Sequence, residues 1–505
     1  MSHSMSSPRN IQLVFETYQK ARLVFVQTMA ELATRATNVK CLESAGVLEL
    51  LRPLLSDACS SVRQCAVVAA ARLCEHDEGV ARQLLNEGMV TITLENLHKY
   101  NVYYKRSALY LIRAVAKHNE ELAGVIVRLG ALEHIVSCLE DFDTQVKENA
   151  AWALGYIGKH SESLAGLVVD AGTLPLLVLA FQEPEMSLKQ RSTLCALGAV
   201  AGARLELAEA VVAGGALPPA LLHTGHDAAP VRRAAACLLR DIVKHSVDVR
   251  YFIIISSMLA QLVVNTGGSR PLVELLSETA GGVRVPSCMA LGFIAGQSDQ
   301  LAMAVIEAKA IPALVEILQN TEAEDAELCA AAWTIGHISK HSPQHSLAIA
   351  VANALPRLLQ LYTNPKSSGE VRARASCALK QSLQCCLHRP ALEPLLHAAP
   401  ACILKYVLAQ YAKILPNDAR ARRLFVTTGA LKRVQEIDTV PGTSLKEYIN
   451  IINSCFPEEI VRYYTPGYSD SLLDRVEAYT PQIPELFTDR VPSDCQSELT
   501  IENGN

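Results

Sequence analysis

The chain has 505 residues, of which 50% are hydrophobic, 19% are charged and only 5% are aromatic. A high hydrophobic content with so little charge excludes wholesale disorder, and the abundance of Ala, Leu and Val favours closely packed helices over sheets. Lys and Arg total 46 against 51 for Asp and Glu, so the net charge of −5 lacks the basic excess that is usual in nucleic-acid-binding chains.

Residues 1–10 are polar and serine-rich, without the apolar segment of a secretory signal, and we expect them to be a disordered N-terminus. We therefore interpret the 15 cysteines as reduced intracellular thiols. Because no CxxC pair occurs, the sequence predicts neither a zinc site nor a disulfide. The most apolar run, residues 251–264, is shorter than the ~20 residues that cross a membrane.

A short pattern recurs along residues 11–440: an apolar stretch ends in a small residue and glycine, and a second apolar stretch follows. Its anchor positions are Gly46, Gly88, Gly130, Gly172, Gly215, Gly268, Lys309, Asn353 and Gly429. Successive anchors are 42, 42, 42, 43, 53, 41, 44 and 76 residues apart. A period near 42 residues indicates helical repeats of the HEAT and armadillo kind. We therefore predict an all-α armadillo-repeat solenoid, a right-handed superhelix of three-helix repeats.

Each anchor glycine is expected to end a short first helix through a positive φ. Asn353 is the usual substitute there, whereas Lys309 breaks the rule and predicts a locally altered corner. The longer third helix carries small residues in its middle, which let adjacent repeats approach closely. We expect five cysteines in these helices to be buried small hydrophobes rather than reactive thiols: Cys195, Cys237, Cys288, Cys329 and Cys377.

Histidine follows lysine at the end of four predicted third helices, at His118, His160, His245 and His341. Because each lies at the same place in a different repeat, the four side chains would lie about one repeat apart and would not converge on a catalytic or metal site. We favour a structural role, in which a cation complements the C-terminal end of the helix dipole by ~0.3–1 kcal/mol.

A basic residue follows an apolar one at the start of seven predicted third helices. We name this set the basic ladder: Arg63, Lys105, Lys147, Lys189, Arg232, Arg284 and Arg372. A positive charge near a helix N-terminus is mildly unfavourable, so its repetition needs an explanation. One explanation is a solvated helix face whose apolar neighbour is buried. The other is an acidic partner, which complementary charge attracts without net basicity.

Residues 247–260 do not follow the repeat pattern, which stops near residue 440. Residues 441–481 are therefore predicted to form a C-terminal segment of their own, and residues 482–505 a disordered tail. The C-terminal segment contains Arg462, Tyr463, Tyr464 and Tyr468, residue types that are favoured at interface hot spots. It either binds a partner or folds back to cap the apolar end of the solenoid.

Residues 148–154 (ENAAWAL) and 330–335 (AAAWTI) resemble third helices of armadillo repeats. In that superfamily the third helices line a concave groove that binds extended partners, which makes Trp152 and Trp333 candidate partner-binding residues. Nuclear import receptors of this superfamily clamp a peptide with an Asn one turn after such tryptophans. Tyr156 and His337 occupy those positions here, which argues against an import receptor.

A second resemblance covers nearly the whole chain. Residues 15–22 (FETYQKAR), 30–35 (AELATR), 138–143 (CLEDFD), 421–427 (ARRLFVT) and 457–470 (PEEIVRYYTPGYSD) resemble an armadillo-repeat family of the central apparatus of motile axonemes. The last of these segments lies outside the repeats, so general armadillo packing does not explain it.

That resemblance implies a non-enzymatic structural scaffold of the central pair in 9+2 cilia and sperm flagella, needed for axoneme integrity and motility. It implies binding to microtubules and to other central-apparatus proteins, and a place in the cytoskeleton. With it, the tubulin surface or its acidic tails become the expected acidic partner of the basic ladder. The alternative is a catenin-like cytosolic adaptor that binds extended peptides in its groove. Because the common nucleotide, metalloprotease and nucleophile motifs are missing, we expect no catalytic residue, metal, cofactor or small-molecule substrate, and no nucleic-acid or membrane partner.

Overall fold

The computed structural model describes residues 8–182, 190–245, 253–279 and 282–479, and all regular elements in these ranges are helices. The chain divides into two compact units, residues 1–391 and residues 392–505. The first unit opens with the long helix α1 (Pro8–Leu32), which begins inside the ten residues predicted to be disordered. Residues 1–7 and the tail predicted at 482–505 lie outside the described residues.

After α1, the described part of the first unit contains eight sets of three helices. The first helices are α2 (Ala36–Ser44), α5 (Glu78–Asn86), α8 (Glu120–Arg128), α11 (Glu162–Asp170), α14 (Leu205–Ala213), α17 (Ile253–Asn265), α20 (Asp299–Glu307) and α23 (Pro343–Val351). The second helices are α3 (Val47–Leu51), α6 (Met89–Glu95), α9 (Ala131–Leu139), α12 (Thr173–Leu179), α15 (Leu217–His223), α18 (Ser269–Glu274), α21 (Ala310–Gln319) and α24 (Ala354–Thr363). Short 3-10 helices extend three of them, Arg52–Ser56, Ala180–Gln182 and Leu275–Ser277.

The third helices are mostly the longest of each set. They are α4 (Ser60–His76), α7 (Val102–Ala116), α10 (Thr144–His160), α13 (Gln190–Ala201), α16 (Ala229–Val243), α19 (Arg284–Gln297), α22 (Asp325–Ser339) and α25 (Gly369–Cys385). They pack on one another in chain order, from α4 on α7 to α22 on α25, and α1 packs on α4. The predicted all-α repeat architecture is confirmed.

A residue with positive φ joins the first and second helices of each set. Glycine takes this conformation at Gly46, Gly88, Gly130, Gly172, Gly215 and Gly267, with φ between 71° and 87°. The anchor placed at Gly268 is thus one residue too late. Lys309 and Asn353 adopt the same left-handed conformation, with φ of 65° and 57°. The altered corner predicted at Lys309 is wrong, because the turn is kept and the lysine backbone accepts the strained φ.

Small residues let the third helices approach closely, as predicted. A Cβ atom at Gly155 would lie 3.2 Å from the Cα of Ala196 on the next third helix. The alanines in the middle of these helices are almost fully buried, for example Ala70 and Ala235. The stack of third helices is therefore the core of the first unit.

The five predicted core cysteines differ in burial. Cys288 and Cys329 are buried, Cys195 and Cys237 are half-buried, and Cys377 is exposed, which corrects the prediction for that residue. Cys377 lies on α25, the last third helix of the first unit, so no further third helix of that unit covers it.

The helix α26 (Arg389–Ala398) crosses the boundary, and the second unit continues with α27 (Ala401–Ile414), α28 (Ala419–Thr427), α29 (Ala430–Gln435), α30 (Ser444–Asn453), α31 (Glu458–Tyr463) and α32 (Tyr468–Glu477). The set α28–α30 repeats the same three-helix order, with Gly429 at its corner. The rings of Tyr411, Phe425 and Phe456 pack in series, with centroids 4.8 Å and 6.1 Å apart. These rings contribute to the small core of the second unit.

Within the described ranges, no single helix combines the length and the hydrophobicity needed to cross a membrane. Three first-and-second-helix pairs, α8 with α9, α11 with α12 and α14 with α15, reach that length and composition only jointly, across bends of 76–84°.

Candidate protein-binding surface on the third helices

Side chains spaced about four residues apart on the third helices are not covered by the neighbouring repeats. On α7, α10, α13 and α16 they are mainly basic and aromatic, and we name them the basic face: Arg106, Tyr110, Arg113, Trp152, Tyr156, Lys159, Arg191, Arg233 and Arg240. Together α4, α7, α10, α13 and α16 carry eleven basic and three acidic residues, although the whole chain has a net charge of −5. Positive charge is therefore concentrated on the third helices of the first five repeats.

Cations and aromatic rings of the basic face contact one another, both within a helix and between neighbouring third helices. The guanidinium carbon of Arg191, on α13, lies 5.4 Å from the ring centre of Trp152 on α10. Trp152 and Tyr156 stack with centroids 5.9 Å apart. Arg113 lies 4.8 Å from the ring centre of Tyr110 on its own helix. Such cation–π contacts help to fix the arginines, and Arg113 also donates a hydrogen bond of 3.2 Å to Oδ1 of Asn149.

Burial disfavours the thiolate form of Cys195, which lies on α13 beside Arg191 of the basic face. Burial raises the pKa of Cys195 to about 11, against the opposing effect of the nearby Arg191 and Arg233 charges. Both arginines therefore lie close to the same thiol, and both are exposed. Since the thiolate is the nucleophilic form, the structure supports the non-reactive interpretation of this residue.

Two members of the basic ladder bind the loop that precedes their own helix. Arg63 donates a hydrogen bond of 3.0 Å to the carbonyl oxygen of Ala58. Arg232 donates to the carbonyl oxygens of His226 and Asp227 at 2.6 and 2.7 Å. These bonds satisfy loop carbonyls, and they explain why a positive charge is tolerated near the start of the helix.

Three ladder members also form ion pairs with an acid about one repeat later in the chain. The pairs are Lys105 with Asp141 at 2.7 Å, Arg232 with Glu278 at 2.7 Å and Arg284 with Glu327 at 3.3 Å. Burial acts to raise the pKa of Asp141, but hydrogen bonds from Lys105 and from the backbone of Asp143 hold it below its ordinary value. These ladder cations therefore connect consecutive repeats of the chain.

The remaining ladder members differ from one another. Lys147 also has an interaction partner, Lys189 lies outside the described residues, and Arg372 is exposed. Arg63, Lys105, Arg232 and Arg284 already contact this chain, so less of the ladder's charge is left for a partner. Binding of the ladder to an acidic partner stays a prediction. Arg191 and Arg233 are exposed one or two residues beyond a ladder position and were not among the predicted site residues. Their signal in the sequence is a second basic residue close to that of the ladder.

The histidines at the third-helix ends form hydrogen bonds between repeats. The Nε2–H groups of His118, His160, His245 and His341 donate to the carbonyl oxygens of Cys74, Ala116, Ala201 and Ala295, at 2.5–2.7 Å. Gln297 donates to Val243 in the same way. Burial lowers the pKa of His245 and of His341, which favours the neutral ring. This geometry supports the structural role, through hydrogen bonds to backbone carbonyls rather than through a charge on the ring.

Trp333, the second candidate tryptophan, lies on α22 in a different environment. Its ring contacts Phe293 edge-to-face at 4.9 Å and His337 at 4.3 Å. Burial lowers the pKa of His337 to about 4, with further effects from the Lys340 and His341 charges. This part of the third-helix stack is therefore aromatic, and the lowered pKa favours a neutral His337 ring beside the indole.

The candidate residues of the C-terminal segment are on or beside α31 and α32, which contain no buried residue. Arg462 pairs with Glu458 at 2.6 Å, and the ring of Tyr463 packs against Tyr464 and Tyr468 with centroids 5.1 and 6.3 Å apart. A capping segment would bury its apolar side chains, and α30 of the same segment does so with Ile449 and Ile452. The exposure of α31 and α32 favours the partner-binding alternative for those two helices alone.

The family model of the armadillo/beta-catenin-like repeat matches residues 119–159, which contain α8, α9 and all but the last residue of α10. Residues 119–159 form an armadillo repeat. Because the neighbouring sets share its helix order and its left-handed corner, the first unit is an armadillo-repeat solenoid.

Two curated relatives are each named sperm-associated antigen 6. The Mus musculus protein is 46% identical and the Homo sapiens protein 45% identical, in both cases over 167 residues. The match covers 33% of this chain and 33% of each relative, so it spans about a third of the length of these proteins. The crystal structure of an engineered protein is also similar, with a TM-score of 0.65 over 85% of this chain and 93% of that chain. At 22% identity, that likeness supports the fold alone.

Proposed function

We propose that this chain is a non-catalytic structural scaffold of the central-pair apparatus of motile cilia and sperm flagella. In this role it binds microtubules and other central-apparatus proteins and supports the integrity and motility of the axoneme. The similarity to proteins named sperm-associated antigen 6, at 45–46% identity over 167 residues, supports the sperm-related setting. The observation that carries the scaffold role is a stack of eight third helices that presents a long side-chain surface without a motif for catalysis.

The basic face supplies the chemistry for contact with a microtubule. Lys159, Arg191 and Arg233 are exposed on three successive third helices. A row of positive charges with interspersed aromatic rings complements an extended acidic segment, of which the acidic tails of tubulin are an example. Long-range attraction of this kind needs a local charge pattern and not a net positive chain, which agrees with the overall charge of −5.

Microtubule co-sedimentation of the full chain tests this contact. The triple substitution Lys159→Glu, Arg191→Glu and Arg233→Glu should weaken binding at low salt about tenfold, since each exposed charge pair contributes up to about 1 kcal/mol. The difference should shrink at high salt, where exposed charges are screened. Removing the acidic tubulin tails by limited proteolysis should weaken the unsubstituted chain to a similar extent.

A matched control is the triple substitution Lys40→Glu, Arg52→Glu and Arg270→Glu. These residues are also exposed, but they lie on first and second helices and on a short 3-10 helix. The control makes the same change in net charge and should bind microtubules almost as well as the unsubstituted chain. If both triple variants lost binding equally, general charge and not the basic face would be responsible.

A cytosolic adaptor of the catenin type is the second candidate, because the basic face complements any extended acidic peptide equally well. Localisation separates the two. A tagged full chain expressed in motile ciliated cells should remain with the axoneme after detergent extraction. A diffuse cytosolic signal, or a signal at cell junctions, would favour the adaptor.

A further inference from the structure

Two histidine side chains from consecutive repeats meet away from the third helices. His98 follows α6, and His134 lies on α9, 36 residues later in the chain. The Nε2 atom of His98 lies 3.0 Å from the Nδ1 atom of His134. The ring centroids are 5.1 Å apart, and the ring planes are tilted by 35°. We name this contact the His98–His134 pair.

The backbone on both sides of the pair is anchored in the core. Leu97, next to His98, is fully buried, and its N–H donates to the carbonyl oxygen of Leu94 at 3.0 Å. Ile135, next to His134, is fully buried as well. His98 itself is exposed and His134 is half-buried. The pair therefore has a fixed position at the surface, within reach of a dissolved ion.

The stacking of repeats does not by itself require two imidazoles in contact here. The residues one period of 42 positions earlier are Ser56 and Ile92, and those one period later are Glu140 and Leu176. Neither of these equivalent pairs joins two histidines, although the same helices pack in the same order there. The His98–His134 pair is thus a local feature of the second and third repeats.

Two other pairs of neighbouring histidine rings differ, because the backbone engages their nitrogens. The Nε2–H groups of His341 and His345 donate to backbone carbonyl oxygens at 2.6 and 2.9 Å. The Nδ1–H group of His223 donates to a backbone carbonyl oxygen at 2.6 Å, and Nδ1 of His226 accepts from a backbone N–H at 2.9 Å. In the His98–His134 pair the two nitrogens face each other instead. A hydrogen bond between neutral rings uses both nitrogens, and one shared ion can replace it.

The separation of the two facing nitrogens suits coordination of one metal ion. Imidazole nitrogens bind metals such as Zn²⁺ at about 2.0–2.1 Å. Two bonds of that length place their nitrogens about 2.9 Å apart at a right angle, and about 3.3 Å apart in a tetrahedron. The observed 3.0 Å is closer to the right angle, which is typical of Cu²⁺ and Ni²⁺ with nitrogen ligands.

We propose that the His98–His134 pair binds a divalent transition metal ion through both imidazoles, with a preference for Cu²⁺ or Ni²⁺. In the part of the chain that the structure describes, no group of three or more His, Cys, Asp and Glu side chains is placed to hold a metal, so water completes the coordination. The hydroxyl oxygen of Ser137 lies 3.3 Å from Nε2 of His98 and can bond to such a water. The proposal revises the expectation of no metal, and it does not depend on the axonemal role.

The surroundings of the pair select the class of ion. Mg²⁺ and Ca²⁺ prefer oxygen ligands, so two imidazoles discriminate against them. The charge of Lys105 acts on the His98 ring and would oppose a second cation. Its Nζ atom, however, pairs with Asp141 at 2.7 Å, which offsets that charge. A bound ion would connect the segment after α6 to α9, and hence the second repeat to the third.

Isothermal titration of the full chain with Ni²⁺ tests the site. Ni²⁺ is the probe because Cu²⁺ oxidises thiols and the chain has 15 cysteines. His98→Gln and His134→Asn each place an amide where the facing ring nitrogen was, so hydrogen bonding is kept while the imidazole ligand is lost. Each should weaken Ni²⁺ binding at this site about 10- to 100-fold, because the second imidazole binds as an intramolecular ligand.

Two controls accompany these variants. His397→Gln removes an exposed histidine on α26 and should leave Ni²⁺ binding unchanged. Titration of the unsubstituted chain with Mg²⁺ should show no binding at the pair. Hydrogen exchange supplies a local measurement: Ni²⁺ should slow amide exchange in residues 94–99 and 131–139 of the unsubstituted chain, and not in the His98→Gln or His134→Asn variant.

Either of two results would overturn the proposal. Ni²⁺ binding that persists unchanged in both His98→Gln and His134→Asn would place the ion elsewhere in the chain, for example on thiols. Absence of Ni²⁺ binding to the unsubstituted chain would leave the contact as a hydrogen bond between two neutral rings.

Discussion

The basic face and a cavity of about 610 Å³ beside Trp333 lie on the same stack of third helices but differ in charge. We name the second region the Trp333 cavity, and it is lined by Val285, Met289, Cys329 and Trp333 on α19 and α22 together with side chains of α25. In the third helices α4, α7, α10, α16 and α19, the first turn contains no acid. In α22 and α25 it contains Asp325, Glu327 and Glu370. A repeat scaffold can therefore change the charge of its surface along its length by changing a few side chains, while the helix order and the left-handed corners stay the same.

The two regions also differ in the interactions that stabilise their charged side chains near the helix N-termini. Acids in the first turn of a helix are stabilised by the helix dipole, by about 0.3–1 kcal/mol, whereas cations there are disfavoured. The basic ladder therefore needs contacts with loop carbonyls and with acids, and these contacts are present for Arg63, Lys105, Arg232 and Arg284. The charges left for a partner are those outside the ladder, such as Arg191 and Arg233.

The largest expected effect comes from Arg284, the ladder cation between the two regions. Arg284 and Glu327 are 7% and 9% exposed, and Arg284 also donates to the carbonyl oxygen of Leu276 at 3.0 Å. Arg284→Ala leaves Glu327 buried without its cation, so we expect it to lower the free energy of unfolding by about 3–5 kcal/mol. Urea unfolding followed by circular dichroism measures this.

The control for this substitution is Arg372→Ala, at the same ladder position of α25 but exposed. It should change the free energy of unfolding by less than about 0.5 kcal/mol, as is usual for surface substitutions. Equal losses for the two variants would mean that ladder cations contribute through the helix and not through the pairing with Glu327.

A smaller effect is expected at the wall of the Trp333 cavity. Gly292→Ala places a methyl group 2.3 Å from the indole of Trp333, and overpacking of this kind costs about 1–3 kcal/mol. Thermal unfolding should show the loss. Gly225→Ala is the control, since its nearest neighbour would lie at 3.7 Å, an ordinary contact. Unchanged stability of Gly292→Ala would show that Trp333 does not rest on the α19 backbone as described.

Protonation of His337, beside Trp333, should make the free energy of unfolding depend on pH. Its pKa of about 4 lies below the ordinary value of 6.5, so the unfolded chain takes up the proton first as the pH falls. The contribution of the neutral His337 ring to the free energy of unfolding is complete above pH 6.5, and it is lost progressively between pH 6.5 and about 4. One fully buried imidazole gives a slope of at most about 1.4 kcal/mol per pH unit, and half-burial reduces it.

Urea unfolding at pH 7.5, 6.0 and 5.0 measures that slope. The groups that act on His337 are Lys340, whose Nζ lies 3.2 Å from Nδ1, and His341. His337→Phe should remove part of the decline between pH 6.5 and 5 and leave stability at pH 7.5 similar. An identical pH profile for this variant and the unsubstituted chain would assign the decline to other groups.

Much of this fold follows from local sequence, and the rest depends on contacts between repeats. A glycine with positive φ between two short apolar helices is visible at Gly130, and the lysine–histidine ends of the third helices are visible at His160. The acid that pairs with Arg284 is 43 residues away in the chain. Its position cannot be deduced without knowing how each repeat is rotated on the previous one. The Trp333 cavity was missed for the same reason, since three helices form it and only the tryptophan stood out.

The corners extend the comparison to the backbone and give the smallest expected effect. The corners of the first six repeats are glycines, whereas those of the last two, which contribute α22 and α25 to the Trp333 cavity, are Lys309 and Asn353. A non-glycine residue in the left-handed conformation is disfavoured, and glycine relieves this at an entropic cost in the unfolded chain. Lys309→Gly should therefore raise the free energy of unfolding by about 0.5–1 kcal/mol, and Gly130→Lys should lower it by about 1 kcal/mol. A Cβ atom at Gly130 would meet nothing within 4 Å, so that loss would report backbone strain alone. If Lys309→Gly destabilised the chain instead, the lysine side chain would have to make a stabilising contact that outweighs its strained φ.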